Sequence, residues 1–477
     1  MSNATTSFQV LSDDQCELIY RAALEILART GVVVHHDEGL RLLEAAGAEV
    51  ADGGRARIPA SAVEQALAVT PSTVRLVGRD PERICILERD RIYFGTGSDC
   101  PFIHDSGTGQ RRAPTYSDIR DVARVADALD NIEFHMSVGL THDVPQMTYD
   151  RHQFLAMLEG TSKPLVQTAV DRQGLADQYE MACVIRGSAR AFELAPLLTL
   201  YAEPSSPLAH TKEAVEKVLF AAEKRIPCIY TPGSMAGATA PITAAGAMAC
   251  GLAETLSGIV MAQQKAPGAP IIGGGVVSIM DMRDLTFSYG APELHLHMAA
   301  FTEVSKWLHL PVFSIAGCSD SKVLDQQAAI ESALSVLFAA LSGGNLIHDV
   351  GYLESGLVGS YEMLTMSDEI ISMVKQIIRG IRVDDEALAM DAIAEVGPAG
   401  QFITTEHTVE HFRDFWQPVT MVRQEFDKWA AQGAATMGER IRARVADIRA
   451  THEPLPIADD QMAELRGIVA AADAAHS

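Results

Sequence analysis

Eight short apolar runs dominate the chain from residue 92 onward, each ending in or directly followed by glycine or a polar residue, and most followed by a stretch of helical spacing. They are 92–97, 132–139, 164–170, 197–203, 227–232, 270–277, 311–317 and 345–351. Their starts lie roughly 30 to 45 residues apart, the length of one strand, one helix and a return loop. The clearest intervening helices are predicted over 116–129, 212–224, 294–308 and 325–341. Proline opens several runs, where it suits a strand's first residue and stops the preceding helix. Such alternation implies parallel strands joined by right-handed crossovers. Eight units predict an α/β fold, a closed (β/α)8 TIM barrel over residues 91–360, with an open doubly wound sheet as the alternative.

The flanks read as helical. Ser12-Asp13-Asp14-Gln15 has the form of a capping box, an apolar stripe follows at helical spacing, and Gly31 lies past the end. Further helices are expected over 37–46 and from Pro59. Residues 1–90 thus form an N-terminal helical segment. A C-terminal helical segment, 361–477, is expected to run through 408–415 and 419–449. With Trp416 in it, that segment suits a cap on the barrel or a homo-oligomer contact.

A chain of 477 residues could also hold about three domains. The barrel rhythm favours one large unit with additions. Lys and Arg number 38 against 62 Asp and Glu, a net charge of −24. That balance argues against a nucleic-acid partner and against an anionic membrane surface. Residues 1–10 carry no basic stretch and no apolar stretch of a secretory leader. The most apolar segment, 238–262, contains Glu254 and reads as a buried helix rather than a membrane span. Seven scattered cysteines point to reduced thiols in a cytoplasmic protein.

Chemistry in a barrel gathers at the C-terminal ends of its strands. Those positions here hold Asp99, Gln167, Tyr201 with Glu203, Tyr230, Asp320 with Lys322, and His348 with Asp349 and Tyr352. Acidic groups among aromatic walls suit a positively charged organic group, which ring faces and carboxylates hold without needing an N–H. The plainer reading is that such aspartates cap the next helix, as Asp118 and Asp325 are placed to do. Asp99, in a Gly-rich turn before Cys-Pro, and Glu203 and His348, at strand ends, fit that plainer reading less well. Strand alternation would turn Leu346 and His348 into the barrel and Ile347 onto the outer helices. A metal site has little support: Cys100, His104, Cys318 and His348 lack a ligand spacing, and His295-x-His297 falls within a helix, where residues two apart do not share a face. Gly273-Gly274-Gly275 forms no nucleotide fingerprint.

Longer stretches carry a family likeness: AALEILARTG at 22–31, VGRDP at 77–81, GTGQRR at 107–112 with Thr115 and Asp118, IAGCSDSKVLDQ at 315–326, GNLIHDVGYLESG at 344–356 and EHTVEHFRDFW at 406–416. On these the sequence resembles the trimethylamine methyltransferase family, specifically its members without pyrrolysine. The resemblance covers nearly the whole chain. It implies a barrel that hands a methyl group from a small quaternary amine, glycine betaine-like, to the Co(I) corrinoid of a separate carrier protein. No tightly bound cofactor of its own is implied. Trimethylamine-specific members carry pyrrolysine, whereas this chain has only standard residues. Asp99, His348 and Glu203 are the expected catalytic residues. Gln167, Tyr201, Tyr230, Phe313, Asp320, Lys322 and Tyr352 are the expected substrate contacts. His348, Lys322 and Arg283 are candidates to anchor a substrate carboxylate. The competing readings are a metal-dependent barrel hydrolase or lyase and a non-catalytic betaine-binding protein.

Overall fold

The computed structural model describes residue 6 and residues 8–476. The stretch read for a leader lies partly outside them. Eight strands alternate with eight helices. β1 is Tyr93–Phe94, β2 residues 134–135, β3 Leu165–Gln167, β4 Leu198–Ala202, β5 Cys228–Tyr230, β6 Ile271–Gly274, β7 Val312–Ile315 and β8 Leu346–His348. The helices that follow them are α1 Tyr116–Ala128, α2 Tyr149–Gly160, α3 Arg172–Arg186, α4 Lys212–Lys224, α5 Ala244–Lys265, α6 Pro292–Trp307, α7 Gln326–Ser342 and α8 Tyr361–Ile378. Seven strands form one parallel sheet in the order β1-β8-β7-β6-β5-β4-β3. β2 joins its two edges through bridges from Phe134 to Gly95 and from His135 to Leu165, and the ring closes. The fold is a TIM barrel.

Each helix start is specified locally. Thr115 and Asp118 form a capping box on α1. Asp171, Thr211, Asp325 and Ser360 each accept a backbone N–H in the first turn of α3, α4, α7 and α8. Inside the barrel, Phe134, Met136, Val166, Ile229, Ile272, Phe313 and Leu346 form one buried cluster. Ile347 packs in the outer cluster with the helices. The two faces of β8 therefore divide as alternation requires. α5 is long and apolar enough to cross a membrane, but 83% of its most apolar window is buried inside the fold.

The N-terminal stretch contains the expected helices at Asp13–Glu25, Asp37–Ala45 and Ala60–Val69. It also contains strands that periodicity missed. Val32–Val34, Glu49–Ala51 and Arg55–Arg57 form a small sheet with Ala209–His210, and each is too short to show a pattern. A hairpin of Val74–Val77 and Ile84–Leu87 adds Val74, Leu76, Cys85 and Leu87 to the interior cluster. It closes the bottom: Val77 N–H donates to the Pro196 carbonyl ahead of β4, and the Asn345 side chain, ahead of β8, donates to the Arg89 and Arg91 carbonyls. After α8 the chain is more broken than the expected 419–449 helix. Phe426–Ala431 stops near Gly433, which sits at φ +97°, and Met437–Thr451 starts afresh.

The β1–β2 seam is joined by backbone bonds from Glu133 to Phe94 and from Val138 to Gly97, and between them by one hydroxyl. Thr96 Oγ1 accepts the Met136 N–H at 2.7 Å and donates to the Met136 carbonyl at 2.8 Å, with His135 Nδ1 at 3.0 Å. All three residues are fully buried. Thr96→Val keeps the shape and orphans both Met136 groups, at about 1–3 kcal/mol for each. We expect a clear fall in the denaturant midpoint for Thr96→Val and little change for Thr96→Ser. Equal midpoints for the two variants would show that the hydroxyl does not hold the seam.

Candidate active site

Two neighbouring strand ends are shaped by close approach. A Cβ on Gly97, just past β1, would stand 2.0 Å from Asp349 Oδ1 and 2.3 Å from the Tyr352 hydroxyl, so only glycine fits. Asp99 and Asp349 both take left-handed backbone, at φ +66° and +72°. Aspartate tolerates that region better than most residues, yet each instance still costs on the order of 1–3 kcal/mol. Such strain persists only where the surrounding structure enforces it.

Three carboxylates converge at this end of the barrel. Asp99 has one oxygen buried without a partner, and burial pushes its carboxyl above the usual range against the polar groups of Thr168, Ser98 and Gln153. Glu203 accepts the Tyr201 hydroxyl. Burial raises its pKa, and the charges of Asp349 and Asp99 raise it further. Asp349 is raised by burial and held down by His348 and the Tyr289 hydroxyl, which donates to Oδ2 at 2.9 Å. Tyr201 and Glu203 keep solvent-accessible surface while protein encloses them, as side chains lining a deep cleft do.

The ring faces lie among these charges. Phe313 stands 4.1 Å from His348 and 5.2 Å from Tyr201, centroid to centroid, and Tyr201 stands 6.0 Å from His348. His348 Nδ1 lies 2.8 Å from the Ser314 carbonyl, which can only accept, so the proton is on Nδ1. Nε2 then faces Asp349 Oδ1 at 3.3 Å. Tyr352 donates to the Ser98 carbonyl at 2.5 Å, beside Asp99. Asp99, Glu203, His348, Tyr201, Phe313 and Tyr352 are thus brought together, with Asp349 and Tyr289 among them.

Four other expected residues lie elsewhere. Val166 and Ile229 face inward, so their neighbours Gln167 and Tyr230 face the helices. Gln167 donates to the Asp150 carbonyl at 3.4 Å. Tyr230 packs on α5 at Gly258 and donates to His210 Nδ1 at 2.6 Å, while His210 Nε2 meets Ser257 at 2.9 Å. Lys322 is exposed and bonded to the Asp320 carbonyl. Asp320 itself is a clasp: its carboxylate accepts from Ser288 Oγ, the Tyr289 and Gly290 N–H groups, and Ser355 Oγ, at 2.5–3.0 Å. It ties the loops after β6, β7 and β8 together and fixes the backbone of Tyr289. Arg283 lies in an exposed turn, its N–H on the Asp281 carboxylate. Sequence reasoning missed Tyr289, which lies beyond the sixth run and just ahead of the α6 proline. An aromatic residue between a strand end and a helix start was the only available signal.

The rim explains the GTGQRR stretch. Arg112 pairs with Asp105 and, through two nitrogens, with Asp118, which also caps α1. The hairpin Phe102–His104 with Arg111–Arg112 is thereby bound to the first barrel helix, and Arg111 lies 3.4 Å over the Phe102 ring. Among the described residues no group of His, Cys, Asp and Glu is placed to hold a metal ion.

The trimethylamine methyltransferase (MTTB) family model matches residues 1–476. The chain is 31% identical to trimethylamine methyltransferase MttB of Desulfitobacterium hafniense over 459 residues, covering 96% of this chain and 92% of that one. It is 30% identical to a glycine betaine methyltransferase of Desulfitobacterium hafniense, covering 98% of each. The solved monomethylamine methyltransferase MtmB of Methanosarcina barkeri superposes with a TM-score of 0.53 at 11% identity, over 94% of this chain and 90% of that one, and shares the barrel. With a family match of this extent on a barrel of this form, the chain belongs to the trimethylamine methyltransferase family and is a methyltransferase.

Proposed function

We propose that the barrel mouth binds a small quaternary amine, glycine betaine-like, and presents one N-methyl group to the Co(I) corrinoid of a separate carrier protein. The observation that carries this reading is the convergence of Asp99, Glu203 and Asp349 with the rings of Tyr201, Phe313, Tyr289 and Tyr352. Three enclosed carboxylates repel one another, and a cation among them relieves that repulsion. A quaternary nitrogen has no N–H, so charge and ring faces must hold it. The carrier's corrinoid supplies the nucleophile that takes the methyl.

Asp99, Glu203 and His348 surround the ammonium in this reading, and Tyr201, Phe313 and Tyr352 orient it so that one C–N bond points outward. The amine departs neutral, so no residue has to deliver a proton. The nitrogen loses its charge in the transition state. Full ionisation of all three carboxyls would therefore stabilise the ground state more than the transition state. Raised pKa values limit that excess. The unpaired Thr231 hydroxyl supplies a donor for a substrate carboxylate, in place of Lys322 at the surface. The free cysteines fit a cytoplasmic setting.

The test combines the enzyme, a corrinoid carrier, a reductant and a panel of quaternary amines, and follows corrinoid absorbance. Methyl transfer from at least one of the amines is expected, and none from any would overturn the reading. Asp99→Asn, Glu203→Gln and His348→Ala should each lower kcat/KM by tenfold or more, about 1.4 kcal/mol, with unchanged circular dichroism. Near-normal kinetics in all three would mean the substrate sits elsewhere.

The pH dependence has a definite sign. A raised carboxyl pKa keeps the group protonated to higher pH, so amine affinity falls as pH drops through a range above the ordinary ~4 of a free carboxyl. Tyr289→Phe removes a hydrogen bond that lowers the Asp349 pKa, so this limb should move to higher pH. Superimposable binding profiles would show that Asp349 does not face the substrate.

A further inference from the structure

Thirteen of the 27 exposed large apolar side chains among the described residues fall within 381–426, about a tenth of the chain. Ile381 is 81% exposed, and Ile403, Phe415 and Phe426 are each 73% exposed. Together these side chains offer on the order of 1,000 Å² of apolar surface. The largest patch on a typical monomer is roughly 300–600 Å², and a stable interface buries about 800 Å² per partner. Summed along the segment, the area is of the size a lasting protein contact buries. The segment is nonetheless well anchored. Glu369 on α8 accepts the N–H groups of Val419, Thr420 and Met421, and the Trp416 indole donates to Ser372 at 3.0 Å.

Its position says which partner fits. α8 begins just after β8, at the mouth, and runs away from it. The segment leaves the far end of α8 and is anchored near that helix's middle, at Glu369 and Ser372. A carrier protein delivering an acceptor has to sit at the mouth, not here. The same segment also carries both halves of a contact: a groove of about 400 Å³ lined by Arg382, His407, His411, Phe412 and Phe415, and projecting apolar side chains such as Ile403 and Phe426. A two-fold interface uses both, because each copy presents the same surface to the other. We propose that residues 381–426 are the interface between two copies of this chain.

The test is the solution mass of the full chain by light scattering or sedimentation at micromolar concentration. Twice the chain mass, or an even multiple of it, is expected. Phe415→Glu and Ile403→Glu, made separately, should each shift the mass toward the single chain while far-UV circular dichroism is kept. Leu18→Glu, at an exposed apolar side chain elsewhere, should leave the mass unchanged. Salt should strengthen the association, since each copy carries −24. Hydrogen exchange within 381–426 should slow as the protein is concentrated, a readout independent of whether the variants fold. A wild-type chain of single mass, or exchange that slows only when the carrier protein is added, would overturn the proposal. So would two folded glutamate variants that keep the doubled mass.

Discussion

Ring closure at the β1–β2 seam is the constraint on which the rest depends. β2 has only two bridged residues, 134 and 135, and the backbone bonds that join it to β1 lie on either side of Met136, from Glu133 to Phe94 and from Val138 to Gly97. The Thr96 hydroxyl does the work of a missing ladder pair, accepting from one backbone group of Met136 and donating to the other. His135 beside it is kept neutral, because burial lowers its pKa to about 3. The Thr96 hydroxyl is satisfied on the seam side, while His135 Nε2 is buried without a hydrogen-bond partner. Gly97 and Asp99 follow directly on the same strand. The geometry of the mouth is therefore inherited from the closure beneath it.

The mouth is unfavourable to the protein taken alone. Two aspartates adopt left-handed backbone, three carboxyls are drawn together, and the rings crowd around them. Nothing in folding requires this arrangement, since valines and leucines would close the barrel at lower cost. Its cost is offset by well-satisfied structure nearby: Asp320 with four donors and Arg112 with two carboxylates. Rigidity in the supporting loops allows strain and repulsion to remain at the site.

Much of this could be read from the chain itself. Each of the eight runs contains a barrel strand because β-rich segments broken by proline and glycine are unambiguous at that length. Asp99, Glu203 and His348 were readable because position at a strand end is a property of sequence. Phase was not. Gln167 and Tyr230 sit one residue from the inward phase set by Val166 and Ile229, and strands of three residues are too short to fix it. Tyr289 and the clasp made by Asp320 depend on three loops meeting in space, which no local pattern encodes. The small N-terminal sheet escaped for the same reason, since one of its strands is supplied by residues 209–210.

A missing positive charge gives the acidic mouth its meaning. The cations nearest to it are already committed. Lys217, whose charge reaches Asp99 and Asp150, is bonded to the Ala169 carbonyl at 2.6 Å, and Arg151 is spent on Asp150 and Asp177. Among the described residues only His348 faces the carboxyl cluster directly, through Nε2 beside Asp349. A small cation completes this set better than any side chain present. That cation should also be one the site can let go, because removing a methyl group discharges it. The repulsion among Asp99, Glu203 and Asp349 then returns as the neutral amine forms, and the loss of charge that accompanies the chemistry also weakens the hold on the product.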